Sequence, residues 1–225
     1  MSRIGPGPPQ DADTSRLETF ADGVMAIAIT LLILEVKTLP DVPGSRLAAA
    51  VAHQWPSYAG YVVSFLTIGI IWVNHHHMFR LIERTNHAFL MLNVVFLMTI
   101  AALPWPTGLV ADHLRDSGRT VAAVAYGVTM ECIAIMFNVV WRYAAKDKRL
   151  LDPRVDAAAL DRASRNYLVG PVVYAVATLV ALVNAWASLA IFAALAVYWL
   201  LPGTGPRSSL LVPPEEGAKG ELSTG

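Results

Sequence analysis

Very few ionisable side chains fall inside the long apolar stretches of this sequence, and any chemistry in the chain has to begin with them. Asp22 lies about one turn into the first apolar run. A carboxylate there is costly unless it is paired or faces water, so it marks a contact between helices or the wall of an aqueous path. Arg16 stands six residues earlier, too far round a helix for an ideal intrahelical pair, and the partner of Asp22 is expected on another helix. Glu131 lies near the middle of a later run, beside Cys132. It reads either as a neutral, hydrogen-bonded contact between helices or, together with Asp22, as a proton carrier in a transporter; relays of that kind need chains of such groups. His75, His76 and His77 are consecutive. Neighbours on a helix point about 100° apart, so the three cannot converge on one metal ion. They fit a polar network at one membrane face, in which Arg16 and Asp22 meet Trp72, Asn74 and His75 or His76, or else a solvated interfacial cluster. No glycine loop for nucleotides, Ser/His/Asp set or carboxylate pair is evident, which argues against an enzyme. Cys132 is the single cysteine, which excludes an intrachain disulfide and a cysteine metal site. No cofactor is expected.

The elements that must position these residues are membrane helices. Of the 225 residues 55% are apolar and only 15% charged, against roughly 25% charged in soluble domains. The apolar residues are gathered into runs long enough for lipid to be the solvent. The net charge is zero, so no global field favours nucleic acid. Candidate spans are Leu17–Val36, Ser57–Phe79, Ala88–Val110, Thr120–Trp141, Asn166–Val183 and Trp186–Leu201. The last two are joined only by Asn184 and Ala185 and should form a tight hairpin of short helices, matched to a thinner local membrane. Pro104 and Pro106 should kink or end the third span, and Pro171 is tolerated one turn into the fifth. With the N-terminus inside, Lys37, Arg46, Arg115 and Arg119 are outer residues and the other 13 of the 17 Lys and Arg are inner, a positive-inside bias. Six spans with both ends cytoplasmic satisfy it. Residues 1–15 and 202–225 are rich in Pro and Gly, with Asp or with Ser and Glu, and read as a disordered leader and tail around a membrane domain at 16–201. The leader is not cationic and the run from Phe20 to Val36 exceeds a typical signal-peptide core. Pro153 to Arg165, in the longest inner loop, is expected to form a short amphipathic surface helix.

The first span is unlike the others. Gly23, Ile27, Thr30, Leu31 and Leu34 recur at spacings of three and four, which places them on one stripe of a helix. Ala26 and Thr30 add a small-residue contact. Spacing alone allows two uses for this stripe, packing inside a monomeric bundle or a seam between subunits.

The motif Arg16-x-x-x-Phe20-Ala21-Asp22-Gly23, followed by Ala26-Ile27-x-Ile29-Thr30-Leu31-Leu32-x-Leu34-Glu35, resembles the signature of the transmembrane protein 175 family of endolysosomal and prokaryotic potassium channels. The family motif has serine where Ala21 stands, so one hydroxyl is missing. Trp72-x-Asn74-His75-His76-x-x-Phe79 at the end of the second span is similar to a supporting motif of the same family. The resemblance covers roughly residues 16 to 201. It implies an all-α fold with six transmembrane helices per subunit, and, since the chain holds one copy of the unit, a homotetramer whose first helices line a central pore. It implies an apolar constriction at Ile27, Leu31 and Leu34, narrowest at Ile27, with Thr30 at a hydroxyl position that helps select potassium. It also implies a network at the cytoplasmic mouth that fixes the pore helix. Dewetting is a recognised way for such a constriction to gate. Glu35 is either an acidic ring that attracts cations or an interfacial carboxylate facing water. The expected function is passive potassium conduction across a prokaryotic plasma membrane, with K+ as the permeant ion and the lipid bilayer as partner. A proton-coupled transporter using Asp22 and Glu131 is the alternative.

Overall fold

The computed structural model describes residues 11–37 and 41–201. They are mostly helical: α1 (Asp11–Leu31), α2 (Leu47–His53), α3 (Trp55–Phe79), α4 (His87–Ala101), α5 (Pro104–His113), α6 (Arg119–Ala145), α7 (Ala157–Ala181) and α8 (Ala185–Leu200). Among the described residues, four stretches are long and apolar enough to cross a membrane: Thr14–Glu35, Trp55–Phe79, His87–His113 and Arg119–Lys148. They coincide with the first four expected spans.

Local chemistry sets the boundaries. Asn86 caps α4, its Oδ1 accepting the Phe89 N–H at 2.9 Å, and Asn184 caps α8 in the same way through Ala187. Both side chains satisfy an amide that has no carbonyl partner in the first helical turn. Pro56 sits in the first turn of α3, where its missing N–H costs nothing. The third span breaks between α4 and α5 at Ala102–Leu103, just before Pro104, because Pro104 and Pro106 cannot donate to the preceding turn. Thr107, on α5, donates to the Leu103 carbonyl at 2.9 Å and shares a 2.8 Å bond with Ser64 on α3.

Several expectations need correction. Asp11 to Ser15 belong to α1 and not to a disordered leader; residues 1–10 and 202–225 lie outside the described residues. The connection between α1 and α3 carries a short helix, α2. No separate surface helix spans Pro153 to Arg165, because the chain enters α7 at Ala157 and continues unbroken. The polar first half of α7, with Asp161, Arg162 and Arg165, and the shorter α8 set this hairpin apart from the four long spans. Pro171 consequently lies in the helix interior, where it leaves the Tyr167 carbonyl without an intrahelical donor. Asn138 on α6 supplies one, its Nδ2 donating to that oxygen at 2.7 Å.

α6 is the central helix, packed on α4, α5, α7 and α8, and its Trp141, Val140 and Ala144 are fully buried. The α6–α7 contact is close because Gly127 has no side chain: a Cβ there would collide with Thr178 Oγ1 and stand 3.0 Å from its Cβ and Cγ2. Thr178 has little freedom to move away, since its hydroxyl donates to the Tyr174 carbonyl at 2.8 Å. Gly127→Ala is expected to cost about 1–3 kcal/mol through overpacking, read as a lowered thermal unfolding midpoint in detergent.

The connection after α3 and the one before α7 are joined to each other. Ile82, after α3, and Leu151, before α7, form an antiparallel bridge, with Glu83 N–H donating to the Leu150 carbonyl and Asp152 N–H to the Leu81 carbonyl, both at 2.9 Å. The chain turns into this bridge through Asp147 and Lys148, both at positive φ. Leu150, Leu151 and Val155 are buried beneath it.

Candidate functional site

α1 has two distinct faces. Leu17, Ala21, Met25, Ala28 and Leu32 are buried, spaced as one helical stripe, and pack against α3 and α4. Ala21, where the motif has serine, is fully enclosed. The opposite face is open within the subunit. Ile27 is 60% exposed, Leu31 42% and Leu34 70%. Arg16, Phe20, Gly23, Ala26 and Thr30 on the same side are also exposed, and a Cβ at Gly23 would meet open space. The residues expected to form the stripe therefore share one unpacked surface. The Thr30 hydroxyl donates to the Ile27 carbonyl at 2.8 Å. Its proton is used inside the helix, so its oxygen is left as an acceptor.

Two bonds hold the polar end of α1 to α3. Trp72 Nε1–H donates to Asp22 Oδ1 at 2.8 Å, and His76 Nδ1 lies 2.8 Å from Glu18 Oε1. Trp72 and His76 are one turn apart on α3 and their rings stack with centroids 6.2 Å apart. Asp22, Trp72 and His76 are thus brought together as expected, and Asp22 has its partner on another helix. Glu18 belongs to this contact too; its carboxylate one turn before Asp22 was the sequence signal for it. A Trp72→Phe, Asp22→Ala double-mutant cycle should give a coupling of about 0.5–1.5 kcal/mol in thermal unfolding, the range for one side-chain hydrogen bond.

The other expected members go elsewhere. His75 is fully buried, with Nε2 3.4 Å from Asn93 Oδ1 on α4 and its ring against Phe79 and Phe96 at 4.3 and 5.8 Å. Asn74 lines a cavity between α3, α6, α7 and α8. The ~100° step between helical neighbours sends Asn74, His75 and His76 in three directions. Among the described residues Arg16 makes no ion pair with Asp22, and no group of three His, Cys, Asp or Glu is placed to hold a metal.

At the opposite end the Glu35 carboxylate lies over Gly108 on α5, where a Cβ would collide with its Oε2. Beside it, Lys37 pairs with Asp112 at 2.6 Å. Glu131, half-buried in α6, has an Oε2 with no hydrogen-bond partner. No side-chain hydrogen bond links it to Asp22 among the described residues.

Comparison with known proteins identifies the family. The family described as Endosomal/lysosomal potassium channel TMEM175 matches residues 16–104, which contain both motifs. A potassium channel of Streptomyces collinus is 44% identical over 83% of this chain and 91% of its own length. One of Chamaesiphon minutus is 40% identical over 86% and 96%. The crystal structure of a lysosomal potassium-selective channel TMEM175 homolog from Chamaesiphon minutus superposes with a TM-score of 0.76 at 38% identity, over 84% of this chain and 96% of that one. With both motifs in place, the fold matched and nearly the whole of these relatives covered, the chain belongs to the TMEM175 family.

Proposed function

We infer that the chain is a potassium channel in which four copies surround a central pore lined by α1. The observation that carries this reading is the unpacked face of α1. One side of the helix is locked into the core, while Gly23, Ile27, Thr30, Leu31 and Leu34 stand free along the other. A single copy of α1 cannot enclose a pore, but four around an axis can, and the bonds to Trp72 and His76 fix the rotation that turns this stripe inward. Four Ile27 side chains then form an apolar constriction that closes by dewetting. Four Thr30 oxygens, with their protons directed into the helix, face the permeant cation as acceptors one turn away.

Each subunit crosses the membrane six times within residues 16–201, through α1, α3, α4 with α5, α6, α7 and α8. At 16 residues, α8 extends about 24 Å, short of a ~30 Å hydrocarbon core, which fits a locally thinned bilayer. Both termini are cytoplasmic, by the placement of Lys and Arg, and the membrane is the prokaryotic plasma membrane. Purified protein in liposomes should pass potassium faster than sodium, and its mass in nanodiscs should be that of four chains. A monomer that still conducts would overturn the central pore.

A further inference from the structure

Arg115 stands in the short connection between two apolar stretches, one ending at His113 and the next beginning at Arg119. This is the end of the bundle where α3, α6 and α8 begin. Arg115 is exposed, and the carboxylates nearest to it in the chain are engaged elsewhere. Asp112 pairs with Lys37 at 2.6 Å. Asp116 accepts from the Gly118 N–H at 2.6 Å and lies 2.9 Å from His113 Nδ1. Among the described residues no acid pairs with Arg115. It meets another nitrogen base instead. Its Nη1 lies 3.0 and 2.9 Å from Nδ1 and Nε2 of His53, the last residue of α2. A neutral imidazole has one acceptor nitrogen and a charged one has none, so most of the guanidinium N–H groups have no acceptor among the described residues. The guanidinium carbon also stands 5.5 Å from the centre of the Trp55 ring. Trp55, in the first turn of α3, stacks on Trp186, in the first turn of α8, with centroids 6.0 Å apart. The two rings are 43% and 44% exposed, and Leu182 and Val183, just before α8, are 63% and 92% exposed.

We propose that Arg115, His53, Trp55 and Trp186 form a site for an anionic membrane lipid, its phosphodiester headgroup on Arg115 and His53 and its acyl chains against the tryptophan pair. The unmatched donors call for an anion with several oxygens. A phosphate accepts two parallel N–H bonds from the planar guanidinium while the flat face of that group stays on an aromatic ring, and His53 adds a further donor. The helix dipoles act in the same direction, since α3 and α8 both present their positive ends here. The place of the cluster selects a lipid over a soluble anion. Residues at the ends of apolar spans lie at headgroup depth, and tryptophans are enriched in that layer. Leu182 and Val183 add exposed apolar surface beside Trp186 for the chains. One bound lipid would tie α3, the connection between α5 and α6, and α8 together. The site requires only that the chain be a membrane protein; it does not depend on α1 lining a pore.

The test uses the full-length protein in phosphatidylcholine vesicles, with dibrominated phosphatidylglycerol as a quencher of tryptophan fluorescence. The signal of Trp55 and Trp186 is the part missing from a Trp55→Phe, Trp186→Phe variant, which keeps a ring at both exposed positions. Its quenching should saturate at a low fraction of phosphatidylglycerol. The binding constant should be at least about fivefold that of dibrominated phosphatidylcholine, the effect of one cation near an anionic headgroup. Arg115→Gln should bring this ratio below about twofold. Arg46→Gln, which removes a cation at the start of α2, should leave it unchanged, and millimolar inorganic phosphate should not displace the lipid. Equal quenching by the two lipids would overturn the site without recourse to a charge variant. A ratio that survives Arg115→Gln would overturn it too, as would equal losses in Arg115→Gln and Arg46→Gln, which would mark a diffuse charge effect. Displacement by phosphate would overturn the lipid as occupant and put a free anion in its place.

Discussion

Replacing Ile27 with asparagine is expected to raise potassium flux through the reconstituted protein by about tenfold or more and to reduce its preference over sodium. A tenfold rise corresponds to lowering the conduction barrier by about 1.4 kcal/mol, a small demand on four amides that would replace an apolar ring. Water that cannot wet isoleucine side chains can hydrogen-bond to asparagine, so the constriction stays hydrated. The substitution should leave the subunit folded, because Ile27 is 60% exposed and contributes little to the core behind it. Ile27→Leu keeps the apolar character and similar volume, and its flux should stay near the natural value. The result separates two surroundings for this face. If the stripe faced lipid, an amide there would be unfavourable and would lower stability without opening a conduit. Unchanged conductance and selectivity in Ile27→Asn would remove Ile27 from the pore.

Asn138→Leu should lower the stability of the bundle by about 1–3 kcal/mol. Pro171 offers no N–H to the Tyr167 carbonyl, and Asn138 Nδ2 fills the gap at 2.7 Å. Leucine has similar bulk and no donor, so the carbonyl would be left unmatched between α6 and α7, and an unpaired backbone group away from water is costly. The cause can be checked directly. Pro171→Ala in the Asn138→Leu background restores an intrahelical N–H to Tyr167 and should recover most of the lost stability. Failure to recover would mean that Asn138 matters for packing and not for the bond. Thermal unfolding of the four proteins, natural, each single and the double, supplies the cycle.

The sequence carried the long apolar runs, and hydropathy placed the first four spans within a few residues of α1, α3, α4 with α5, and α6. It also carried the α1 stripe, because helical periodicity is a local property. It did not carry pairings between helices. Which residue meets Asp22 depends on which helix lies beside α1 and at what rotation, so Trp72 and His76 could be grouped with it only by motif. Asn74 and His75 were grouped there by adjacency in the chain, and the rotation of α3 separates them. Asn93 and Asn138 were visible as amides inside apolar runs, a signal as good as that of Asp22, yet their roles depend on a buried histidine and a helix-interior proline on other helices. Pro171 was misplaced for a related reason. The polar residues Asp161 to Asn166 resemble a loop in composition, and only packing against α6 shows that the helix already runs through them.

The bridge between Ile82 and Leu151 has a consequence for biogenesis. Leu151 leaves the ribosome only after all of α4, α5 and α6, so the C-terminal end of α3 emerges long before its partner exists. Until then the amide of Glu83 and the carbonyl of Leu81 have only water, and Leu150 and Leu151 have no surface to cover. A nascent chain arrested before residue 150 should therefore keep this junction accessible to protease. One arrested well beyond Val155 should protect it, so that closure of the junction reports insertion of the α6 span.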